Sequence, residues 1–431
     1  MSQQTGSVAI VGGHVVPIEG PPVPDGTVLI RDGVITAVGA KVRLPRDVEV
    51  VDASGKWVLP GFIDAHAHLG VWEEGEGWAG NDVNEMTDPN GARLRALDAI
   101  NPSDEGFSDA LAGGITSCVV KPGSGNPIGG QTVAIKTWGR IVDEMVIKSP
   151  VSVKSALGEN PKRVYGDRQK LPSTRLGVAA VIRDAFVKAQ DYRARRDAAL
   201  KKKEPFERDL SAEVLVSVLE RELPWCQHTH RADDISTAIR LADEFGYRLV
   251  INHATEAYLL ADVIAERGIA CIVGPLFHTR TKVEVRNRSL ATAGKLANAG
   301  VTVALTTDHP VVAIDFLVHQ ASFAVREGMS REDALRSITI NPASILGFAD
   351  RVGSLAKGKD GDVVIWSGDP LDVLQRAERV FVSGHQVYRY ADGRGVVTNP
   401  YRTGSATGPA ELPNRLSYRT RTRPSTAVNG T

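Results

Sequence analysis

The chain has 431 residues, in which 51 Lys plus Arg are balanced by 51 Asp plus Glu. That length suits one large domain with a smaller companion. The even charge balance excludes recognition of nucleic acid or an anionic membrane by bulk electrostatics, so a small molecule is the expected partner. Cys118, Cys226 and Cys271 lie in separate apolar runs, which reads as three buried thiols in a reducing compartment rather than a disulfide framework. Met1–Gly6 has neither a basic region nor an apolar core, and nowhere do about 18 apolar residues run together, so a soluble, cytoplasmic protein is expected.

From Ser7 to Val58 short β-type runs alternate with glycine: Val8–Val11, Thr27–Ile30 and Val34–Val38. Arg31-Asp32-Gly33 supplies a hairpin turn, because Asp-Gly tolerates the positive φ such turns need. Matching runs return at Asp362–Trp366 and Arg379–Gly384. Neither piece closes a core alone, so residues 1–58 and 354–400 are expected to pair into one small β-sandwich.

Residues 59–353 have a suitable length for a (β/α)8 barrel, giving an α/β architecture with the sandwich at its side. Thr132–Ile135 is the expected third strand. Between Gly177 and Glu222 two helices are expected, joined by an exposed charged turn. Asp233–Phe245 places Ile235, Ile239, Ala242 and Phe245 on one stripe, Glu256–Arg267 reads as another helix, and Ser330–Asp333 has capping-box spacing. Residues 401–431 turn to Thr, Ser, Gly, Pro and Arg and read as an extended tail.

Chemistry concentrates where apolar runs end. Trp57-Val58-Leu59 is broken by Pro60-Gly61, and a second run delivers His66 and His68. On an extended backbone residues two apart share a side, so both imidazoles can face one ion. Pro224–His230 ends in His228 and His230, Leu249–His253 in His253, and Val303–Asp308 in Asp308, which also suits a turn before Pro310. Repetition of this arrangement points to parallel strands presenting ligands at one rim.

The order His-x-His, His, His, Asp resembles the amidohydrolase superfamily of metal-dependent hydrolases, and more narrowly its imidazolonepropionase-related and prolidase-like branch. The resemblance implies one or two divalent cations, zinc foremost. His66 and His68 would bind the more buried one with Asp308, and His228 and His253 the second. Asp308 would take the proton of a metal-activated hydroxide and pass it to the leaving nitrogen. His228 is preferred over His230, which would then contact substrate or support a ligand. Dinuclear members bridge their metals with a carboxylated lysine or a glutamate. Lys154, ending Val151–Lys154, stands at the expected place, with Glu159 as rival bridge or as holder of a substrate ammonium.

Single-metal deaminases of the superfamily carry a glutamate three residues after the strand-five histidine, where this chain has Arg231. A guanidinium cannot deliver that proton, which favours hydrolysis of a C–N bond in a cyclic amide, an acylated amino acid or a dipeptide. The glycine-rich Lys121–Gln131 lacks a phosphate-loop pattern, and its Gly129 and Gln131 are expected at the substrate pocket. His278 and Arg280 are candidates for a substrate carboxylate. Competing readings are a single-metal hydrolase or deaminase and a catalytically inactive scaffold. The sandwich and tail offer contact surfaces for a homo-oligomer.

Overall fold

The computed structural model describes residues 7–398 and 410–411. Five strands open the chain: β1 (Val8–Val15), β2 (Val23–Arg31), β3 (Val34–Gly39), β4 (Glu49–Asp52) and β5 (Trp57–Pro60). Eight follow: β6 (Phe62–Ala67), β7 (Ile115–Val120), β8 (Ile128–Lys136), β9 (Val146–Ala156), β10 (Trp225–Thr229), β11 (Leu249–His253), β12 (Ala270–Val273) and β13 (Val303–Leu305). The last are β14 (Val363–Trp366), β15 (Ala377–Val382), β16 (His385–Ala391), β17 (Arg394–Val397) and β18 (Ala410–Glu411).

Both chain ends join one ten-stranded sheet, because β5 pairs antiparallel with β14, Val58 opposite Ile365. Val8, Ile10, Val28, Ile30, Ile35, Val363 and Phe381 form an apolar cluster of their own there. The hairpin predicted at Arg31–Gly33 is present, with Asp32 and Gly33 at φ 51° and 78° and Arg31 facing Val34. Of the predicted tail, only Ala410–Glu411 lies within the described residues, where it pairs with β17.

Strands β6 to β13 make the second sheet, in sequence order. Each contributes to one interior apolar layer: Ile63 and Ala65, then Val119, Ala134, Val151, Cys226, Val250, Ile272 and Ala304. This is a TIM-barrel-like fold, with one correction to the uniform (β/α)8 expectation. Thr132–Ile135 does lie in the third barrel strand, β8, but β8 runs antiparallel to both β7 and β9. A parallel return needs a crossover of a dozen or more residues. Residues 121–127 and 137–145 are too short for that, so the chain doubles back twice.

The sheet order ends at β6 and β13, and the side chain of Asp64 helps tie these ends together. One carboxylate oxygen accepts from His66 N (3.0 Å) and Thr306 Oγ1 (2.7 Å), the other from Thr307 N (3.0 Å) and Thr307 Oγ1 (2.5 Å).

The helices form largely as read. Arg175–Lys202 and Leu210–Leu219 flank the charged turn, Ala232–Phe245 ends at Gly246 in the left-handed region, and Ser330 caps Arg331–Ser337 through Asp333 N at 3.0 Å. The helix expected over Glu256–Arg267 is instead a 3-10 turn at Ala257–Leu260 and a short helix at Ala261–Glu266, because Leu260 (φ −127°, ψ 24°) leaves helical dihedrals between them. All three cysteines are free and buried. Among the described residues no helix is long and apolar enough to cross a membrane.

Candidate metal centre

His66, His68 and Asp308 meet at the C-terminal rim of the barrel. Asp308 Oδ1 lies 3.4 Å from His66 Nε2 and 3.3 Å from His68 Nε2. Local irregularity produces this convergence. Ile63 and Ala65 occupy the interior below, so strict alternation would aim His66 outward. From Asp64 to Ala67 three steps along β6 match two along β7, from Cys118 to Val120, and this bulge shifts the parity so that both histidines turn inward. Asp308 sits at φ 53°, a left-handed backbone uncommon for a non-glycine residue and found preferentially at functional sites.

His253 is redirected in a similar way. It shares the parity of Ile251, which packs with the outer core, yet His253 (φ 68°) and Ala254 (φ 55°) turn the chain. The His253 ring ends 4.3 Å from that of His228 and 5.0 Å from that of His66, centroid to centroid. Its Nδ1–H donates to Gly274 O (2.9 Å) and lies 4.0 Å from Asp308 Oδ2. Lys154 is almost fully buried, its Nζ 3.2 Å from both His66 Nε2 and Pro122 O. His68 Nδ1–H donates to Lys121 O (2.8 Å), so the glycine-rich loop after β7 orients a rim histidine.

A second group adjoins the first. His228, His230 and Glu284 each bring a donor atom within 4.8 Å of the others, and all three side chains are buried. Sequence reasoning missed Glu284: it sits in an irregular segment after β12, and neither periodicity nor spacing marks it. Lys282 and Asp64 escaped for the same reason, since their roles depend on partners far away in the chain.

Burial dominates the electrostatics. It holds His66, His228 and His230 well below the ordinary imidazole range and His253 at about 3, so these rings are neutral at pH 7 and keep a lone pair for coordination. Burial lowers Lys154 from 10.5 to about 7. Burial alone would raise Asp308, but His253, His68 and Lys154 outweigh it and hold the carboxyl at about 2. Both ring nitrogens of His228 and Nδ1 of His66 are buried without a hydrogen-bond partner among the described residues. Such orphaned groups cost about 1–3 kcal/mol each. His68 and His253 donate Nδ1–H to backbone carbonyls and His230 Nδ1 pairs with Thr255 Oγ1, the outer contacts that orient metal-binding imidazoles. The residues present therefore fit a divalent cation.

The remaining predicted residues make contacts of their own. Gly129 packs against Lys154, where an added Cβ would lie 3.5 Å from Lys154 Cγ. Gln131 turns to the preceding loop, its Nε2 3.4 Å from Ala92 O. Glu159 donates its backbone N–H to Glu284 Oε1 (2.6 Å). His278 is half-buried on Thr279 O, and Arg280 is exposed, its Nε donating to Arg286 O. Arg231 is held by Asp233 at 2.9 and 2.7 Å.

The Amidohydrolase family model matches residues 57–396. The chain belongs to the amidohydrolase family. This amidohydrolase is thus a hydrolase of carbon–nitrogen bonds, and its relatives support the imidazolonepropionase-related branch. A solved amidohydrolase from Thermotoga maritima MSB8 is 47% identical, with a TM-score of 0.86 over 89% of this chain and 100% of that one. An imidazolonepropionase of Porphyromonas gingivalis is 28% identical over 416 residues, covering 86% of this chain and 88% of that protein. Amidohydrolase tasK of Hapsidospora irregularis is 29% identical over 390 residues, covering 83% of this chain, which spans only 39% of that longer protein. A prolidase solved with n-methylphosphonate-l-proline, 19% identical at a TM-score of 0.58, shares the fold.

Proposed function

We propose that this amidohydrolase cleaves an amide-type C–N bond of a small molecule, such as an acylated amino acid, a dipeptide or a cyclic amide, at a centre of two zinc ions. The observation that carries this reading is the convergence of His66 Nε2 and His68 Nε2 on Asp308 Oδ1, at 3.4 and 3.3 Å, at the rim where Lys154 also ends. His66, His68 and Asp308 would hold the first cation. Lys154, His228 and His253 stand around a second position beside it. Imidazolonepropionases among the relatives support the cyclic-amide option, and the prolidase fold supports the dipeptide option.

A divalent cation bound here would lower the pKa of a coordinated water toward about 7 and polarise the scissile carbonyl. The chain supplies the rest. Asp308 is anionic at neutral pH, so its carboxylate can take the proton lost on attack and deliver it to the leaving nitrogen. Lys154, with a pKa of about 7, is about half neutral amine in neutral solution, the form that adds carbon dioxide and releases a proton to become an anionic carbamate. On this reading His230, Gly129, Gln131, His278 and Arg280 would border the approach, and Arg280 and His278 would meet a substrate carboxylate. Arg231 stays bound to Asp233, which leaves no acid in the deaminase position.

The test combines metal analysis with a panel of acylated amino acids, dipeptides and cyclic ureides in the presence of zinc or manganese and bicarbonate. Two equivalents of metal per chain, turnover within the panel and a carbamate carbon signal from 13C-bicarbonate that is lost in Lys154→Met are expected. One equivalent would favour the single-metal reading. Metal binding without turnover across a broad panel would favour an inactive scaffold.

A further inference from the structure

We infer that His228, His230 and Glu284 form the second cation site, with Glu284 supplying a carboxylate ligand from the segment after β12. This rests on the two-cation reading above and changes which residues hold the second ion. Free and anchored donors divide within His230 and Glu284, whereas His228 leaves both nitrogens free. Both nitrogens of His228 and Oε2 of Glu284 are buried without a hydrogen-bond partner among the described residues. The opposite atoms are fixed: His230 Nδ1 pairs with Thr255 Oγ1 at 2.7 Å, leaving Nε2, while Glu284 Oε1 accepts from Glu159 N at 2.6 Å and Arg175 Nη2 at 2.7 Å. Arg175 is itself held by Asp234 at 3.1 Å. His230 and Glu284 thus show the division of metal ligands, with one donor atom free and the other held by an outer contact.

The backbone admits Glu284 through a specific concession. Gly158 sits at φ +87°, and a Cβ there would fall 2.4 Å from Glu284 Oε1. Lys282 Nζ is 3.6 Å from Glu284 Oε2, beyond hydrogen-bond range, and donates instead to Asn160 Oδ1 at 3.0 Å. Two imidazoles and one carboxylate are a borderline donor set, suited to zinc or cobalt(II) rather than to oxygen-seeking magnesium or calcium. His253 lies between the two groups and can lean to either.

The experiment titrates chelator-stripped full-length protein with cobalt(II), following calorimetry and visible absorption. Wild type should take up two equivalents. Glu284→Gln and His230→Asn should each weaken one equivalent by on the order of 100-fold or more, beyond the 10–100-fold of outer-contact changes, and retain the other. Asp308→Asn should remove the complementary equivalent. As a readout that needs no variant, 113Cd spectra of protein labelled with 15N-histidine should show one cadmium coupled to the nitrogens of His228 and His230. Two undisturbed equivalents in both variants, or loss of the second in Lys154→Met alone, would overturn the assignment and leave the two-cation reading standing. A single equivalent in wild type, lost only in Asp308→Asn, would overturn both.

Discussion

Lys154→Met is the most informative perturbation. Lys154 is 1% exposed, and among the described residues its amine has only His66 Nε2 and Pro122 O within hydrogen-bond reach, so the folded chain bears nearly the whole desolvation of an ammonium. Its pKa falls from 10.5 to about 7. At about 1.4 kcal/mol per pH unit, that gap corresponds to roughly 5 kcal/mol against the charged form, an upper bound before relaxation. The sign follows from proton counting. Between pH 7 and 10.5 the unfolded chain holds a proton that the folded one has released, so this group makes stability rise with pH there by about 1.4 kcal/mol per unit. Below pH 7 both states are protonated and the penalty is complete. Methionine has similar length and no charge, so Lys154→Met should stabilise metal-free protein at pH 6 by a few kcal/mol, and the advantage should shrink toward pH 9. Urea unfolding of chelator-stripped wild type and variant from pH 6 to 9, without bicarbonate, measures the difference. Parallel stability curves across that range would refute the claim that Lys154 loses its proton near neutrality.

Other outcomes follow from the same geometry. Asp308→Asn removes both the proton acceptor and a ligand of the first cation, so turnover of any substrate found, assayed in excess zinc, should fall by about 10²–10⁴-fold or more. Asp64→Asn keeps the shape but sets an amide N–H against a donor of Thr307, and cobalt(II) affinity at the His66 site should drop by about 10–100-fold, read by calorimetry. Gly158→Ala places a Cβ against Glu284 at positive φ, so the melting temperature should fall by an amount equivalent to about 1–2 kcal/mol or more, with weakened uptake of the second cation. Chelation should lower the melting temperature of the loaded protein, and metal at 100 times its Kd should restore about 2.7 kcal/mol.

Much of the centre was legible because its chemistry sits at strand ends. An apolar run that stops at histidine or aspartate announces both the strand and its rim, and marks His66, His68, His228, His253 and Asp308 as candidates, while the Asp-Gly hairpin and the Ser330 cap are readable from local dihedral and hydrogen-bond preferences alone. Tertiary structure decided the rest. A bulge between Asp64 and Ala67 determines that His66 and His68 face inward, and left-handed backbone at His253 and Asp308 aims those side chains against the alternation or turn a reader would assume. The reversal of β8 follows from connection lengths that become meaningful only once its neighbours are known to be strands of the same sheet. Glu284 and Asp64 gain their roles from partners such as Arg175 and Thr307, brought near by the closing of the barrel. The sequence by itself determined which residue types end each strand, because that information is local. Which way they point, and which distant carboxylate joins them, depends on register and packing between segments far apart in the chain, and so was decided by the folded barrel.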